Sequence, residues 1–435
     1  MRVLCTTHPG SGHLHPLVPL AQALEHAGHE VAVATAASFG STVEAAGLRS
    51  LAAGFDWLQA ESEVAMPGFM AADGPGQILM LARLARPMAN DVLRLAAEFK
   101  PDLILRDAME YGGWVAAERL GVPHAAYGIG TRLPGPIVRM WTGNVLSDLP
   151  RAYGLKADPS LSRLVRYLYL DPVPPRFELE GSDFIRALAK SFRAVERLTA
   201  HAFVRALGQM AIAPKTLNVG QRVRPPVFDR SGPEGVPPSV RALPRQPTVY
   251  ATLGTVFNRQ THLLESIATA FHGEQMNLIL TVGRNVDPAR FGPQPSNVCI
   301  ERYIPQSAVL PDCEAVISHG GYNTTISALC HGLPLCCLPL AADQPINTRR
   351  VVALGAGLSC ANTTPYSSPF PIVDPDTLRP EEIRAAVRKL LTEHRFRDEA
   401  ERMRREIDLL PAIEAAVPSL EQLAVTRAPV NFGGT

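Results

Sequence analysis

Between Arg222 and Pro247 the chain carries seven prolines (Pro225, Pro226, Pro233, Pro237, Pro238, Pro244 and Pro247) and little helical pattern. Proline fixes φ and donates no N–H, so such a stretch neither continues a helix nor joins a sheet and reads as a linker. Before it, short apolar runs alternate with helix-length segments. Strands are predicted over 2–7, 30–35, 101–107 and 122–127, and helices over 16–27, 76–99 and 111–120. The first helix shows Leu17, Leu20, Ala21 and Leu24 on one face and a Gly28 stop. Residues 130–215 read as mainly helical and irregular. After the linker the alternation restarts, with strands near 248–253, 277–282, 297–301, 315–318, 335–338 and 357–360, and a largely helical 376–425. Strands alternating with helices imply parallel sheets, so the expectation is an α/β chain of two units with a ligand cleft between them.

Composition excludes more than it assigns. A formal net charge of +1 gives no electrostatic reason to expect a nucleic acid partner. The seven cysteines (Cys5, Cys299, Cys313, Cys330, Cys336, Cys337 and Cys360) are odd in number and contain no C-x-x-C. Most lie in apolar runs, so buried reduced thiols and a reducing cytoplasm are expected. Cys336 and Cys337 should alternate across a strand rather than bond. Met1 runs almost directly into a strand, which leaves no room for a signal peptide. No apolar run approaches the ~18 residues of a membrane helix.

The chemistry concentrates between Ser318 and Gln344. The apolar run 315–318 reads as a buried strand, His319-Gly320-Gly321 as a sharp turn, and 322–331 as a helix. A helix starting just after a glycine turn offers free N–H groups and the positive end of its dipole, which suits a diphosphate. The Thr324 and Thr325 hydroxyls add donors; His319 adds another, and a positive charge if protonated. A second apolar run, 335–340, ends in Ala341-Ala342-Asp343-Gln344. A carboxylate beside a carboxamide at the carboxyl end of a parallel strand offers acceptors and donors to adjacent sugar hydroxyls. Taken singly, a Gly-Gly pair is usually a turn and Asp343 a helix cap. Their order and spacing carry the reading.

This segment resembles the donor-binding motif of nucleotide-sugar glycosyltransferases of the two-domain GT-B fold, in particular the bacterial enzymes that decorate natural products. Tyr303-Ile304-Pro305-Gln306 matches the aromatic-x-Pro-Gln that opens the motif. The resemblance implies an α/β, GT-B chain: two Rossmann-like β/α/β domains facing an interdomain cleft. Residues 1–221 would bind the acceptor, 222–247 link, 248–410 bind the nucleotide sugar, and 411–435 return to the first domain. It also implies that Tyr303 stacks on the nucleobase, that backbone groups of Ile304 pair with its edge, and that Gln306, Asn323 and Thr324 help hold the donor. Gly254-Thr255 would touch the phosphates from the other side, with Gly283-Arg284-Asn285 a plain turn or a further contact.

Gly10-Ser11-Gly12-His13 fails as a dinucleotide fingerprint, because the third glycine would be position 15, which is His15. The resemblance makes His13, in its Gly-His-x-x-Pro setting, the general base, with Gly12 beside the donor. Imidazole suits that task because its pKa lies near neutral. His8 and His15 compete for the role. Asp107, at the exit of a later strand, would orient His13 and stabilise the imidazolium, as a carboxylate does in other triads. Its competing reading is an N-cap for the helix at 111–120. Glu110 is the rival carboxylate, and otherwise an acceptor-pocket residue. No metal is implied, and Asp374-Pro375-Asp376 reads as a helix N-terminus.

The implied reaction inverts configuration at the sugar as a hydroxyl, or a nucleophilic carbon, attacks. Plant relatives carry a glutamate for the ribose hydroxyls where this chain has Ser327, which favours a deoxythymidine over a uridine diphosphate sugar. His331 in His331-Gly332-Leu333-Pro334 reads as structural. The acceptor would be small and apolar, an aromatic polyketide, macrolide or polyphenol. Phe55, Trp57, Met66, Phe69, Met70, Met80, Met140 and Trp141 are its expected walls, though aromatic and Met residues are as often plain core. Some relatives need an auxiliary protein, and a monomer or a homodimer is open. Two other classes remain: a binding helper without transfer, and a sugar-nucleotide epimerase, which would need more carboxylates around the sugar. Product analysis separates them.

Overall fold

The computed structural model describes all residues except 58–73, 133–134, 179–217, 230–234, 255–259, 284–285, 365–370 and 433–435. The first sheet contains β1 (Arg2–Thr6), β2 (Glu30–Thr35), β3 (Arg49–Ala52), β4 (Leu103–Asp107), β5 (His124–Tyr127), β6 (Leu168–Asp171) and β7 (Gly220–Arg222). Their spatial order is β3-β2-β1-β4-β5-β6-β7. The second contains β8 (Thr248–Thr252), β9 (Asn277–Thr281), β10 (Val298–Glu301), β11 (Ala315–Ser318), β12 (Leu335–Cys337) and β13 (Gly357–Ser359), in the order β10-β9-β8-β11-β12-β13. Every ladder in both sheets is parallel.

Helices cover both faces of each sheet, which is why consecutive residues of the central strands are buried rather than alternating with exposed ones. Cys5 faces one core and Leu4 the opposite one. Cys336 and Cys337 likewise point to opposite faces of the second sheet, and all seven cysteines are free thiols. The chain then returns: Ile413, Val417, Leu420 and Leu423 are buried among Leu17, Leu20 and Leu24 of the first unit. No described helix is long and apolar enough to cross a membrane.

Both sheets reverse strand order at one place, between β1 and β4 in the first and between β8 and β11 in the second. The connections leave in opposite directions there, opening a crevice at the carboxyl ends. The register sets Thr6 beside Arg106 and Ser318 beside Thr252, so the residues that follow these pairs line the two crevices.

Three strands were not anticipated. β3 and β7 are half-exposed edge strands, RSLA and GQR, with no apolar alternation to announce them. β6 is the buried run LYLD inside the stretch read as helical and irregular, and four apolar-rich residues do not separate strand from helix. The predicted helix over 16–27 forms as Val18–His26, and the loop before it contains a helical turn, Ser11–Leu14, that was not anticipated. Asp374 and Asp376 sit in a turn, with Asp376 N–H donating to Asp374 Oδ1 at 3.1 Å. The following helix starts at Pro380 and is capped at Arg379, so the Asp-Pro-Asp is not its N-terminus.

Candidate functional site

The turn Ser11–Leu14 carries His13 above the end of β1, next to Asp107 at the end of β4. His13 Nδ1 and Asp107 Oδ2 are 2.5 Å apart. A carboxylate only accepts, so Nδ1 bears the proton and Nε2 is left with the lone pair. Asp107 is fully buried and its Oδ1 accepts from Met109 N–H at 2.7 Å, while His13 keeps 21% of its side chain exposed. Burial alone would lower the His13 pKa. The charge and hydrogen bond of Asp107, with a contribution from Asp343 across the cleft, outweigh it and hold His13 above the ordinary 6.5. Burial likewise opposes the Asp107 charge, but His13 wins and keeps the carboxyl below its usual 3.8.

The neighbours of this pair each have another occupation. His8 is buried edge-on to His13 with ring centroids 5.3 Å apart, and its Nε2 donates to Met109 O at 3.2 Å. Burial, then the nearby His13, pushes its pKa down to about 4, so it is neutral near pH 7. His15 turns away and meets the Phe228 ring edge to face. Glu110 does not line a pocket. It is fully buried, accepts from Thr6 Oγ1 at 2.6 Å, and takes the Gly112 and Gly113 N–H groups at 2.5 and 2.8 Å. Glu110 therefore fills the capping role for the helix Gly112–Leu120, which releases Asp107 for His13. Arg106 was not anticipated. Its buried guanidinium donates to the carbonyls of Asp107, Ala108 and Glu110, and to Leu164, clamping the turn that presents Asp107.

Across the cleft the helix Tyr322–Cys330 starts after Gly321, whose position supplies no side-chain cap, with Asp343 taking the Tyr322 N–H. Its first turn keeps N–H groups for an incoming anion. Gly254 (φ +75) and Gly320 (φ +84) have left-handed backbones. A Cβ on Gly254 would come within 2.8 Å of the His319 ring, and one on Gly321 within 2.5 Å of its Nε2. The imidazole is thus wedged between two positions that only glycine can hold. Burial pushes His319 down to about 4. It is neutral near pH 7, so it lacks the charge it would carry if protonated, and its ring N–H is bonded to the Thr252 backbone carbonyl. Thr324 Oγ1 accepts from Gln306 Nε2 at 3.2 Å, while Thr325 is fully buried.

Asp343 is exposed, presented by Ala342 in the left-handed region (φ +57), which costs a non-glycine residue roughly 1–3 kcal/mol. Its Oδ2 accepts from Tyr322 N–H at 3.3 Å, at the start of the glycine-turn helix, and from the Asn347 side chain of its own helix at 2.7 Å, while its side chain makes no cap bond to its own helix's backbone. Asn347, also unanticipated, reaches Gly320 O at 3.0 Å and joins the glycine turn to the carboxylate. Gln344 is buried and its Oε1 accepts from the Leu340 and Ala341 N–H groups at 2.8 and 3.0 Å. That leaves only the donor end of its amide for a ligand. Tyr303 is half-buried and Ile304 fully buried. Asn323 Nδ2 donates to the carbonyl of exposed Gly12 at 3.1 Å, linking the two halves beside His13. Thr255, Arg284 and Asn285 lie outside the described residues.

Of the expected acceptor walls, Phe55 is exposed, and Met80, Met140 and Trp141 are half-buried. Trp57 is buried against Gly10 in a cluster with Leu81, Tyr111 and Trp114, so it supports the His13 turn from beneath. Met66, Phe69 and Met70 lie outside the described residues. Among the described residues no group of three or more His, Cys, Asp or Glu is placed to hold a metal ion.

Residues 268–423 match the C-terminal domain of the erythromycin biosynthesis protein CIII-like family. The 4'-demethylrebeccamycin synthase of Lentzea aerocolonigenes is 30% identical over 97% of this chain and 99% of its own. The chain belongs to the bacterial antibiotic glycosyltransferases. The L-demethylnoviosyl transferase of Streptomyces niveus is similarly related, 31% identical over 84% of this chain and 86% of its own. Spinosyn rhamnosyltransferase SpnG complexed with thymidine diphosphate superposes with a TM-score of 0.73 at 24% identity, covering 97% of this chain and 100% of that one. The fold of this glycosyltransferase is therefore GT-B, and glycosyl transfer from a nucleotide sugar is its general reaction. The loop Tyr303–Ser307 is anchored by a residue no sequence signal marked. Asp229, in the linker, accepts from Ser307 N–H and Ser307 Oγ at 2.6 and 2.8 Å.

Proposed function

We propose that this glycosyltransferase moves a sugar, a deoxysugar in the preferred reading, from a deoxythymidine or uridine diphosphate donor to a hydroxyl of an apolar natural product, with inversion. The 2.5 Å His13–Asp107 pair facing the glycine turn that starts the helix Tyr322–Cys330 is the observation that carries this reading. His13 Nε2 takes the acceptor proton as its oxygen bonds to the anomeric carbon. The bond from that carbon to the diphosphate breaks and its electron pair leaves with the diphosphate. Asp107 stabilises the imidazolium. The N–H groups at Gly321 and in the first turn of the helix Tyr322–Cys330 meet the growing charge on the leaving group, so no metal is invoked.

Asp343 and the amide donor of Gln344 would read the sugar, Gly254 would contact the phosphates, and Tyr303, Ile304 and Gln306 would hold the base. Phe55, Met80, Met140 and Trp141 would face the acceptor. Ser327 in place of an acidic residue, and the thymidine diphosphate held by the superposed relative, support the deoxythymidine donor. Seven free thiols fit a reducing cytoplasm. The test offers purified protein a panel of thymidine and uridine diphosphate sugars with phenolic and macrolide acceptors, read by mass spectrometry beside His13→Ala. A sugar-sized mass gain on an acceptor, lost in the variant, is expected. Donor binding without transfer to any acceptor would move the reading to a binding helper, and an altered donor sugar to an epimerase.

A further inference from the structure

The linker does more than join the domains. Phe228 is partly buried on the core of the first unit and meets His15 edge to face, two residues from His13. Asp229, the next residue, spends all its described contacts on one loop of the second unit. Its Oδ2 accepts from Ser307 N–H at 2.6 Å and its Oδ1 from Ser307 Oγ at 2.8 Å. Its main-chain carbonyl accepts the Tyr303 hydroxyl proton. Ser307 lies in the first turn of the short helix Gln306–Val309, whose own N-cap, Pro305, supplies no side-chain bond. A carboxylate from 78 residues away thus does what a local Asp or Ser does elsewhere, and adds negative charge at the helix start. Gln306 extends the chain of contacts to Thr324 in the donor-facing helix.

We infer that Asp229 is the positioning residue of the nucleobase platform: it fixes the Tyr303–Ser307 loop, and hence the plane of the Tyr303 ring, from the linker. The inference rests on the proposed assignment of Tyr303 to the base. A ring tethered at its hydroxyl and at the backbone four residues on has little freedom left to lose when a base stacks on it. Without Asp229 that ordering cost returns at each binding event. It falls only on ligands that carry a base, because the glycine turn and His319 do not depend on the linker carboxylate.

The experiment measures binding of thymidine diphosphate and of inorganic pyrophosphate by calorimetry, and steady-state kinetics with a thymidine diphosphate sugar. The variants are Asp229→Ala, Asp229→Asn, Ser307→Ala and Tyr303→Phe. Asp229→Ala is expected to weaken thymidine diphosphate and raise the donor KM about tenfold, the scale of a lost charged cap. The loss appears in KM rather than kcat, with pyrophosphate binding kept. Asp229→Asn retains one acceptor oxygen and falls between Asp229→Ala and wild type. Ser307→Ala and Tyr303→Phe, each losing a single contact, give smaller losses in the same direction. Equal weakening of pyrophosphate and thymidine diphosphate overturns the inference, since that is general damage. So does wild-type affinity in Asp229→Ala. Wild-type protein that binds pyrophosphate but no nucleoside diphosphate overturns the assignment of Tyr303 itself, a separate result.

Discussion

The two halves of the cleft are built on different principles. On the first-domain side, His13 and Asp107 are already joined, and the turn behind them is held by Arg106 and capped by Glu110. On the second-domain side the helix Tyr322–Cys330 starts at a glycine turn, with Asp343 on its first N–H, and the nearby imidazole of His319 is neutral. One half stores its chemistry in side-chain charge, the other in backbone space. The first should therefore be sensitive to charge and pH, and the second to a single added methyl group.

The largest effect tests the charged half. His13→Ala should lower kcat by about 10²–10⁴-fold, the usual worth of a positioned general base, while leaving nucleoside diphosphate affinity nearly intact. Loss of donor binding in this variant would mean that His13 acts on the donor. Next is Arg106→Met. Removing a buried cation that satisfies four carbonyls and faces Glu110 should cost roughly 3–5 kcal/mol of stability, read from urea unfolding. The glycine side comes third. Gly321→Ala places a methyl group 2.5 Å from His319 Nε2 and should raise the donor KM by about tenfold or more, as expected for ~1–3 kcal/mol of steric strain. The pH profile should keep its shape. A shifted profile with unchanged KM would erase the contrast drawn here.

The fourth prediction concerns pH. The base must be neutral to act, and Asp107 holds His13 above 6.5, so the acid limb of kcat/KM should lie above pH 6.5. Asp107→Asn should move that limb down and lower the plateau. In stability terms, the raised His13 value contributes fully below 6.5 and is lost as pH rises through its folded pKa. The lowered Asp107 value contributes above 3.8 and is lost as pH falls through its own folded pKa. Both contributions coexist between those limits, so Asp107→Asn should flatten the stability maximum there. Smallest is Ala342→Gly, which relieves a left-handed alanine and should stabilise by at most about 1 kcal/mol while loosening Asp343, seen as a raised donor KM.

The chain by itself determined the two parallel sheets and the order of the site. Buried strands such as AVIS and LILRD open on unbroken apolar runs, and the proline-rich stretch announces where one series stops. The His319 turn and Asp343 stood out because they follow such strands at carboxyl ends, where open parallel sheets bind ligands, whereas His13 and Asp107 were singled out through the family resemblance. Edge strands β3 and β7 were not, since half-exposed segments carry no alternation. Glu110 and Asp107, three residues apart in one turn, looked interchangeable. Only packing buried Glu110 under Thr6 and the helix start and aimed Asp107 at His13. Charge state was decided the same way: two histidines of equal intrinsic basicity end apart, His13 beside a buried carboxylate and His319 within an apolar wedge. Asp229 is the extreme case, because its target lies 78 residues away and no local pattern encodes a contact made by folding across a linker.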